Sequence, residues 1–293
     1  MPSSPPVVRR HLGVDSAERY RWLASTGRLL TRWPAEPSEA SPTDCFVVGG
    51  EYWIWQPGVG GIQFSSDRYE LAAFPAADVD PAWFDHLVTR SWLPAVYQTW
   101  GRQVLHASAL ACTETGAVLA LAGASGAGKS TLAYALANRS GWTQLADDTL
   151  AFACEADAIL LHPLPNDARL RPATAAHFGR PDSPLVPLAW PDRALSLTAV
   201  LLLGGQADQP RPVVIEPLPA AEAYRRLLEQ AHAFTLEIAD HNRRLLRDYL
   251  ALTARVPAFE LSYRRRFDAL DQVLDAVEVH WSALLRTPPA RRT

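Results

Sequence analysis

One stretch of the chain combines glycines, a lysine and hydroxyl side chains at a spacing that suits phosphate binding. Residues 123–131 read Gly-Ala-Ser-Gly-Ala-Gly-Lys-Ser-Thr, which matches the Walker A pattern. The glycines let backbone N–H groups turn toward an anion, and a helix that begins there adds the positive end of its dipole. We predict that this stretch, the glycine-rich loop, holds ATP, with Lys129 between the β- and γ-phosphates and the Ser130 hydroxyl on Mg²⁺. The predicted ATP-binding residues are Gly123, Ala124, Ser125, Gly126, Ala127, Gly128, Lys129, Ser130 and Thr131.

The use of lysine along the chain supports this interpretation. The sequence has 28 lysines and arginines together, and Lys129 is its one lysine. Arginine carries a broad planar fork, whereas the space between two phosphates suits a compact ammonium. The alternative, a glycine-rich turn that binds nothing, does not explain this placement or the predicted strand and helix that flank the loop.

Two adjacent acids, Asp147 and Asp148, follow the next predicted strand, at residues 142–146. A right-handed crossover would lay this strand parallel to the one at residues 117–122 that enters the loop, so that both end at one crevice. Phosphoryl transfer needs a carboxylate for the metal and a group that accepts the proton of the incoming hydroxyl. The pair can supply both. A solvated turn or a helix cap is the alternative.

His106 is the third candidate for a role in catalysis. It lies in the apolar run Leu-His-Ala-Ser-Ala at residues 105–109, within a predicted strand at residues 103–112 that pairs with the strand entering the loop. A lone histidine in an apolar strand is also a common hydrogen-bonded core residue. Both interpretations stay open at the level of the sequence.

These three features together resemble the catalytic domain of the HPr kinase/phosphorylase family. The resemblance covers residues 100–160, through His106, the glycine-rich loop and the Leu-Ala-Asp-Asp of residues 145–148. It implies a P-loop domain related to phosphoenolpyruvate carboxykinase and a phosphoserine product on a protein. It also implies Lys129 on the phosphates, Asp147 as base, Asp148 with Ser130 at the metal, and His106 supporting the acids; the two aspartates could exchange roles.

The sequence also departs from that family in two places. Ala107 follows the histidine where the family has glycine, and the arginine-rich C-terminus lacks the family's C-terminal loop. The better fit is to HPr-kinase-like proteins of peptide-modification pathways, such as lasso-peptide precursor kinases. The implied acceptor is then a serine on a peptide or a small protein.

The pattern of elements predicts an α/β protein with two domains. Residues 1–100 are predicted as a β-rich domain with a loose tail at 1–10, strands from residue 28 and a connecting helix at 81–100. Residues 101–293 are predicted as the P-loop catalytic domain, with helices at 220–234, 236–254 and 267–285. Strands are predicted at 195–203, 212–216 and 258–263.

Composition excludes several classes of protein. A net charge of −3 gives no basic footprint for nucleic acid. The three cysteines form no CxxC pair and the N-terminus lacks a signal-peptide core, which predicts a protein of the reducing cytoplasm. The apolar runs are too short to span a membrane.

Two other functions fit parts of the pattern. A nucleotide-responsive binding module would use the loop without transferring phosphate. A small-molecule kinase would place an anionic substrate near Arg169 and Arg171. The arginine clusters near residues 225, 243 and 265 are predicted as solvated faces, or as a source of an arginine for a neighbouring subunit in a homo-oligomer.

Overall fold

A computed structural model describes the chain over residues 6–12, 14–35, 41–164, 167–180, 185–188, 190–191, 193–204, 213–234 and 241–286. Over these residues the chain is a mixed α/β protein with several β-sheets, which confirms the predicted α/β class at that level. The division into two domains at residue 100 stays a prediction. Within the described ranges, every helix is too short or too polar to cross a membrane.

The first sheet is formed by the N-terminal strands. They are β1 (Val7–Arg10), β2 (Arg28–Trp33), β3 (Thr43–Val48), β4 (Glu51–Gln56), β5 (Gly60–Phe64) and β6 (Glu70–Pro75). Their spatial order is β1-β6-β5-β4-β3-β2. Side chains alternate between the faces of a strand, and in β4 this places Trp53 and Trp55 in one hydrophobic cluster and Ile54 in another. Both faces of the sheet are therefore covered.

The N-terminal residues differ from the prediction in two respects. Residues 1–10 are predicted as a tail, but Val7–Arg10 pairs in parallel with β6; residues 1–5 lie outside the described part. The sequence also predicts no helix before residue 81, whereas α1 (Ser16–Thr26) packs Leu23 against the first sheet. The Asp15 carboxylate caps α1 by accepting the N–H groups of Ala17 and Glu18 at 2.9 Å. Because α1 is largely polar, its hydrophobic periodicity is weak.

The connecting helix is continuous but not uniform. It consists of α2 (Pro81–Leu87), a wide π-helical turn (Val88–Trp92) and α3 (Leu93–Thr99). In the wide turn the Leu93 N–H donates to the Val88 carbonyl, five residues back. Pro94 has no N–H to donate to the carbonyl of Arg90, which favours an irregular turn at this point.

The remaining strands follow the connecting helix. They are β7 (Gln103–Leu105), β8 (Ala107–Cys112), β9 (Val118–Ala122), β10 (Trp142–Ala146), β11 (Leu150–Cys154), β12 (Ile159–His162), β13 (Asp167–Arg169), β14 (Leu185–Pro187), β15 (Leu195–Leu203), β16 (Val213–Pro217) and β17 (Ala258–Tyr263). β13 and β14 pair with each other, and the rest form a nine-stranded sheet in the order β10-β8-β9-β15-β12-β11-β7, with β17 pairing β15 and β16.

β10, the strand before the two acids, lies one strand further from β9 than a simple crossover would place it. β10 pairs antiparallel with β8, and β8 pairs antiparallel with β9. Two antiparallel steps give β10 the same direction as β9, so the two strands end at the same edge although β8 lies between them. The predicted common crevice therefore exists without direct pairing of the two strands.

The predicted strand at residues 103–112 is broken at His106. β7 pairs with β11, whereas β8 pairs with β9 and β10. The His106 N–H donates to the Gln230 carbonyl at 2.8 Å. Because of this break, the His106 side chain does not follow the alternation between sheet faces that a continuous strand would impose.

The helices of the second half differ from prediction at their ends. They are α4 (Lys129–Ala137), α5 (Pro172–His177), α6 (Ala220–Leu228), α7 (His241–Arg255) and α8 (Leu270–Arg286). The helix predicted at 220–234 ends at Leu228, because the chain then runs beside β7 and the Gln98 side chain bonds the His232 carbonyl and the Phe234 N–H. Residues 236–240 of the next predicted helix lie outside the described part, and a 3₁₀ turn (Phe267–Ala269) precedes α8.

Helices cover both faces of the nine-stranded sheet. α4 and α8 pack on one face, and α6 and α7 pack on the other. A third cluster joins the connecting helix to the first sheet and also includes Val104, Ala151 and Leu164. The connecting helix is therefore packed against both large sheets.

Candidate active site

The glycine-rich loop lies between β9 and α4, and its backbone requires glycine. Gly123, Gly126 and Gly128 have φ values of 146°, 80° and 104°, in the region that favours glycine. At Gly128 space is also limiting, because a Cβ atom would lie 2.4 Å from the Tyr263 hydroxyl oxygen. That hydroxyl donates to the Ala127 carbonyl at 3.0 Å, which holds the last turn of the loop before α4.

Lys129 is buried against the loop that precedes it. Only 6% of the residue is exposed, and its ammonium donates to the Gly123 carbonyl at 2.7 Å and to the Ala124 carbonyl at 3.2 Å. The third contact is to Nε2 of His106, at 2.8 Å. Burial lowers the pKa of Lys129, and the nearby acids Asp148 and Asp147 oppose this change. The ammonium is therefore held in place by acceptors that a phosphate can replace.

His106 connects the lysine to one of the acids. Because the ammonium donates to Nε2, this nitrogen accepts, and the bonding pattern places the imidazole proton on Nδ1. Nδ1 lies 2.9 Å from the Asp148 carbonyl oxygen and 3.3 Å from its carboxylate. A line of contacts thus runs from Lys129 through the imidazole to Asp148.

The two adjacent acids occupy different environments. Asp147 is 2% exposed; one carboxylate oxygen accepts the Ser108 hydroxyl at 2.7 Å and the other accepts the Arg169 N–H at 3.2 Å. The Asp148 side chain is 50% exposed, and its residue has a φ of 67°, which is uncommon outside glycine. This backbone turn directs Asp148 away from β10 and toward His106 and Arg90, whose guanidinium is 3.6 Å away.

These groups line one cavity of about 310 Å³. Its wall includes Arg90, His106, Ser125, Gly126, Gly128, Lys129, Ser130, Thr131, Asp147, Asp148, Arg169 and Arg171. Gly123, Ala124 and Ala127 lie behind this wall, where their carbonyls hold Lys129 and Tyr263. The structure thus brings every residue of the predicted site into the cavity wall or into direct contact with it.

The charges of the cavity suit a triphosphate with its metal. Four cationic side chains face two carboxylates, so the wall has a net positive charge. The Thr131 hydroxyl is 3.0 Å from that of Thr174, and Arg171 lies beside Ser125 at 3.5 Å. An anion in the loop would therefore meet Lys129 and an arginine together.

The donor set fits a magnesium ion that is shared with phosphates. Within the described ranges, no group of three or more His, Cys, Asp or Glu side chains is arranged to hold a metal alone. Mg²⁺ in nucleotide sites uses one or two protein oxygens together with phosphates and water. The predicted ligands Ser130 and Asp148, and also Asp147, line the same cavity and can provide those oxygens.

Three residues at the site were not identified from sequence. Arg90 comes from the wide turn of the connecting helix; its signal is a polar run, Thr-Arg-Ser at 89–91, between buried apolar residues. Tyr263 ends β17, and the exposed Arg265 that follows donates to the Gly126 carbonyl at 3.1 Å. Arg265 belongs to a cluster predicted to be a solvated face. Its contact depends on the end of β17 lying beside the loop, which no local pattern reveals.

Comparison with known proteins gives a distant structural resemblance. No family model and no curated protein matches the chain. Among solved structures, the chain is similar to the HPr(Ser) kinase/phosphatase from Coxiella burnetii, with 11% sequence identity and a TM-score of 0.34. The match covers 62% of this chain and 98% of that chain. Function is therefore inferred from the geometry of the site.

Proposed function

We propose that the protein is an ATP-dependent kinase that transfers the γ-phosphate to a serine hydroxyl of a peptide or protein. One observation carries the proposal: the lysine of a glycine-rich loop is bonded to an imidazole that contacts a half-exposed aspartate, all in one cavity. The imidazole of His106 thus contacts both the cation that would bind phosphate and the candidate base. The serine acceptor is supported by the sequence resemblance to the HPr kinase/phosphorylase family.

The loop and its neighbours would bind the triphosphate. Backbone N–H groups of the loop and the start of α4 bind anions. The Lys129 ammonium would exchange its bonds to the Gly123 and Ala124 carbonyls for phosphate oxygens. Arg169 and Arg171 line the same wall and would hold further oxygens. When bound, Mg²⁺ would neutralise charge on the phosphates.

The geometry favours Asp148 over Asp147 as the base. A base must reach the acceptor hydroxyl. The Asp147 oxygens already accept bonds from Ser108 and the Arg169 N–H, whereas the Asp148 carboxylate is half exposed. We therefore assign Asp148 to the acceptor proton, His106 to the orientation of Asp148, and Asp147 with Ser130 to the metal. This exchanges the roles that the resemblance first implied for the two acids.

The proposal is tested by incubating the protein with γ-labelled ATP and a library of serine peptides, followed by mass spectrometry. We expect label on a serine in the presence of Mg²⁺, and far slower labelling with Lys129→Ala. Ser-to-Ala versions of each labelled peptide serve as controls. ATP hydrolysis without any labelled peptide would instead indicate a nucleotide-responsive module, and label on a small anionic compound would indicate a small-molecule kinase.

A further inference from the structure

A second polar cavity lies away from the glycine-rich loop. Its volume is about 150 Å³, and it is bounded by the end of the connecting helix, by β11 and β12, and by α7. The side chains that matter here are Arg102, His162, Arg247 and Asp248. None of them lines the first cavity.

Arg102 is a buried cation without a counter-charge in the part of the chain that the structure describes. The residue is 2% exposed, and its three guanidinium nitrogens are buried without a hydrogen-bond partner among the described residues. Its guanidinium carbon lies 4.4 Å from the centre of the Tyr69 ring and 5.2 Å from that of Tyr97. Aromatic rings stabilise the face of a guanidinium, but its N–H donors point outward in the plane and still need acceptors.

The acid in the same cavity is already paired elsewhere. Asp248 is 4% exposed; one oxygen accepts Gln103 Nε2 at 2.9 Å and the other lies 2.8 Å from Arg247. Glu155 also borders the cavity, but no described carboxylate is within ion-pair distance of Arg102. A buried charge without a partner is strongly unfavourable. Arg102 therefore calls for an anion that these residues do not provide.

His162 adds a second set of unused polar atoms. It is 5% exposed, and both of its ring nitrogens are buried without a partner in the described part of the chain. Burial, together with the charge of Arg102, lowers the pKa of His162 to about 4. The imidazole is therefore neutral near pH 7 and offers one N–H donor.

We propose that this cavity binds a small oxyanion, held by the fork of Arg102 and by the N–H of His162. The fork matches two oxygens of a phosphate or a sulfate at once. The cavity volume suits a free ion of this size with a few water molecules. A phosphate monoester would offer the same oxygens with a small substituent attached. The site is independent of the kinase proposal, since none of its residues contacts the glycine-rich loop.

The test follows the His162 imidazole by NMR as a function of pH, with its signal assigned from a His162→Gln variant. Titrations in sodium sulfate and in sodium chloride are compared at equal ionic strength; sulfate keeps its charge across this pH range. A bound anion offsets the charge of Arg102, so we expect sulfate to raise the pKa of His162 by about one unit or more. Coincident curves would mean that only water fills the cavity, and would overturn the proposal.

Variants separate this site from the glycine-rich loop. We expect Arg102→Met to remove the sulfate effect and Arg102→Lys to weaken it, because an ammonium lacks the fork. Lys129→Ala, which alters anion binding at the loop, should leave the His162 response unchanged. A sulfate response that persists in Arg102→Met would exclude Arg102 as the ligand. If Arg102→Met does not fold, the comparison of sulfate with chloride in the unaltered protein still decides.

Separate titrations with inorganic phosphate and with a small phosphate monoester identify the source of the anion. A response to phosphate alone supports a free ion. A response to the monoester alone supports the same oxyanion site with a metabolite as its ligand.

Discussion

Lys129 and Arg102 are both almost fully buried cations, yet their surroundings differ. The Lys129 ammonium has acceptors from two loop carbonyls and an imidazole, and two aspartates lie nearby. The Arg102 guanidinium packs against two aromatic rings and has no hydrogen-bond acceptor among the described residues. The Lys129 ammonium is held by hydrogen-bond acceptors that it can release. The second cation has no hydrogen-bond acceptor or counter-charge within the described ranges, so burial alone does not show how a cation is used.

The first prediction concerns the two acids beside Lys129, whereas Asp248 in the Arg102 cavity is paired with Gln103 and Arg247. We expect Asp148→Asn to lower the rate of phosphoryl transfer by about 10²–10⁴, with little change in nucleotide affinity, because the base is lost. Asp147→Asn should instead raise the Mg²⁺ concentration needed for half-maximal rate. Steady-state kinetics with a labelled peptide measure both the rate of transfer and its dependence on Mg²⁺. The opposite pattern would return the role of base to Asp147.

The second prediction compares the two cations directly. We expect Lys129→Ala to lower transfer by about 10²–10³, since one preorganised charge on the phosphates is lost. Arg102→Met should leave transfer within about threefold. The readout is the initial rate at saturating ATP, and thermal unfolding confirms that each variant is folded. Equal losses in both variants would show that the two cations do not serve separate sites.

The third prediction concerns acid stability at the Arg102 cavity. The folded protein holds the pKa of His162 at about 4, below its ordinary value of 6.5. Between these values the unfolded chain binds the proton more readily, so stability is full above pH 6.5 and falls as the pH drops toward 4. The loss from this group is at most about 3 kcal/mol.

Urea unfolding at several pH values measures this loss. His162→Gln should show a shallower fall in stability over the same range than the unaltered protein. Sulfate should also make the fall shallower, because it raises the pKa of the bound state. A pH profile of His162→Gln identical to that of the unaltered protein would contradict the prediction.

The smallest effect is expected at the imidazole beside Lys129. His106→Gln should lower transfer by roughly tenfold, the loss expected for one hydrogen bond to a charged group. The initial rate of transfer to a labelled peptide at saturating ATP measures this loss. Full activity in this variant would make His106 a core residue, the other interpretation of the sequence.

Local signals in the sequence predict much of the site. The glycine-rich loop, the acids after β10 and the bounds of β10, β15 and β17 follow from turn residues and from short apolar runs. The roles of Arg90 and Arg102 could not be predicted, because the residues that surround each side chain lie far away in the sequence. The break at His106 depends on the Gln230 carbonyl, a partner supplied by tertiary structure. Propensity and periodicity contain no information about such partners.

The wide turn of the connecting helix has a consequence for attempts to shorten the protein. A fragment that starts at residue 101 would retain the whole glycine-rich loop and both acids. It would lack Arg90, and it would expose the apolar surface at Val104, Ala151 and Leu164 that the connecting helix packs against. A shortened protein that keeps the cavity intact therefore has to retain the connecting helix from residue 81.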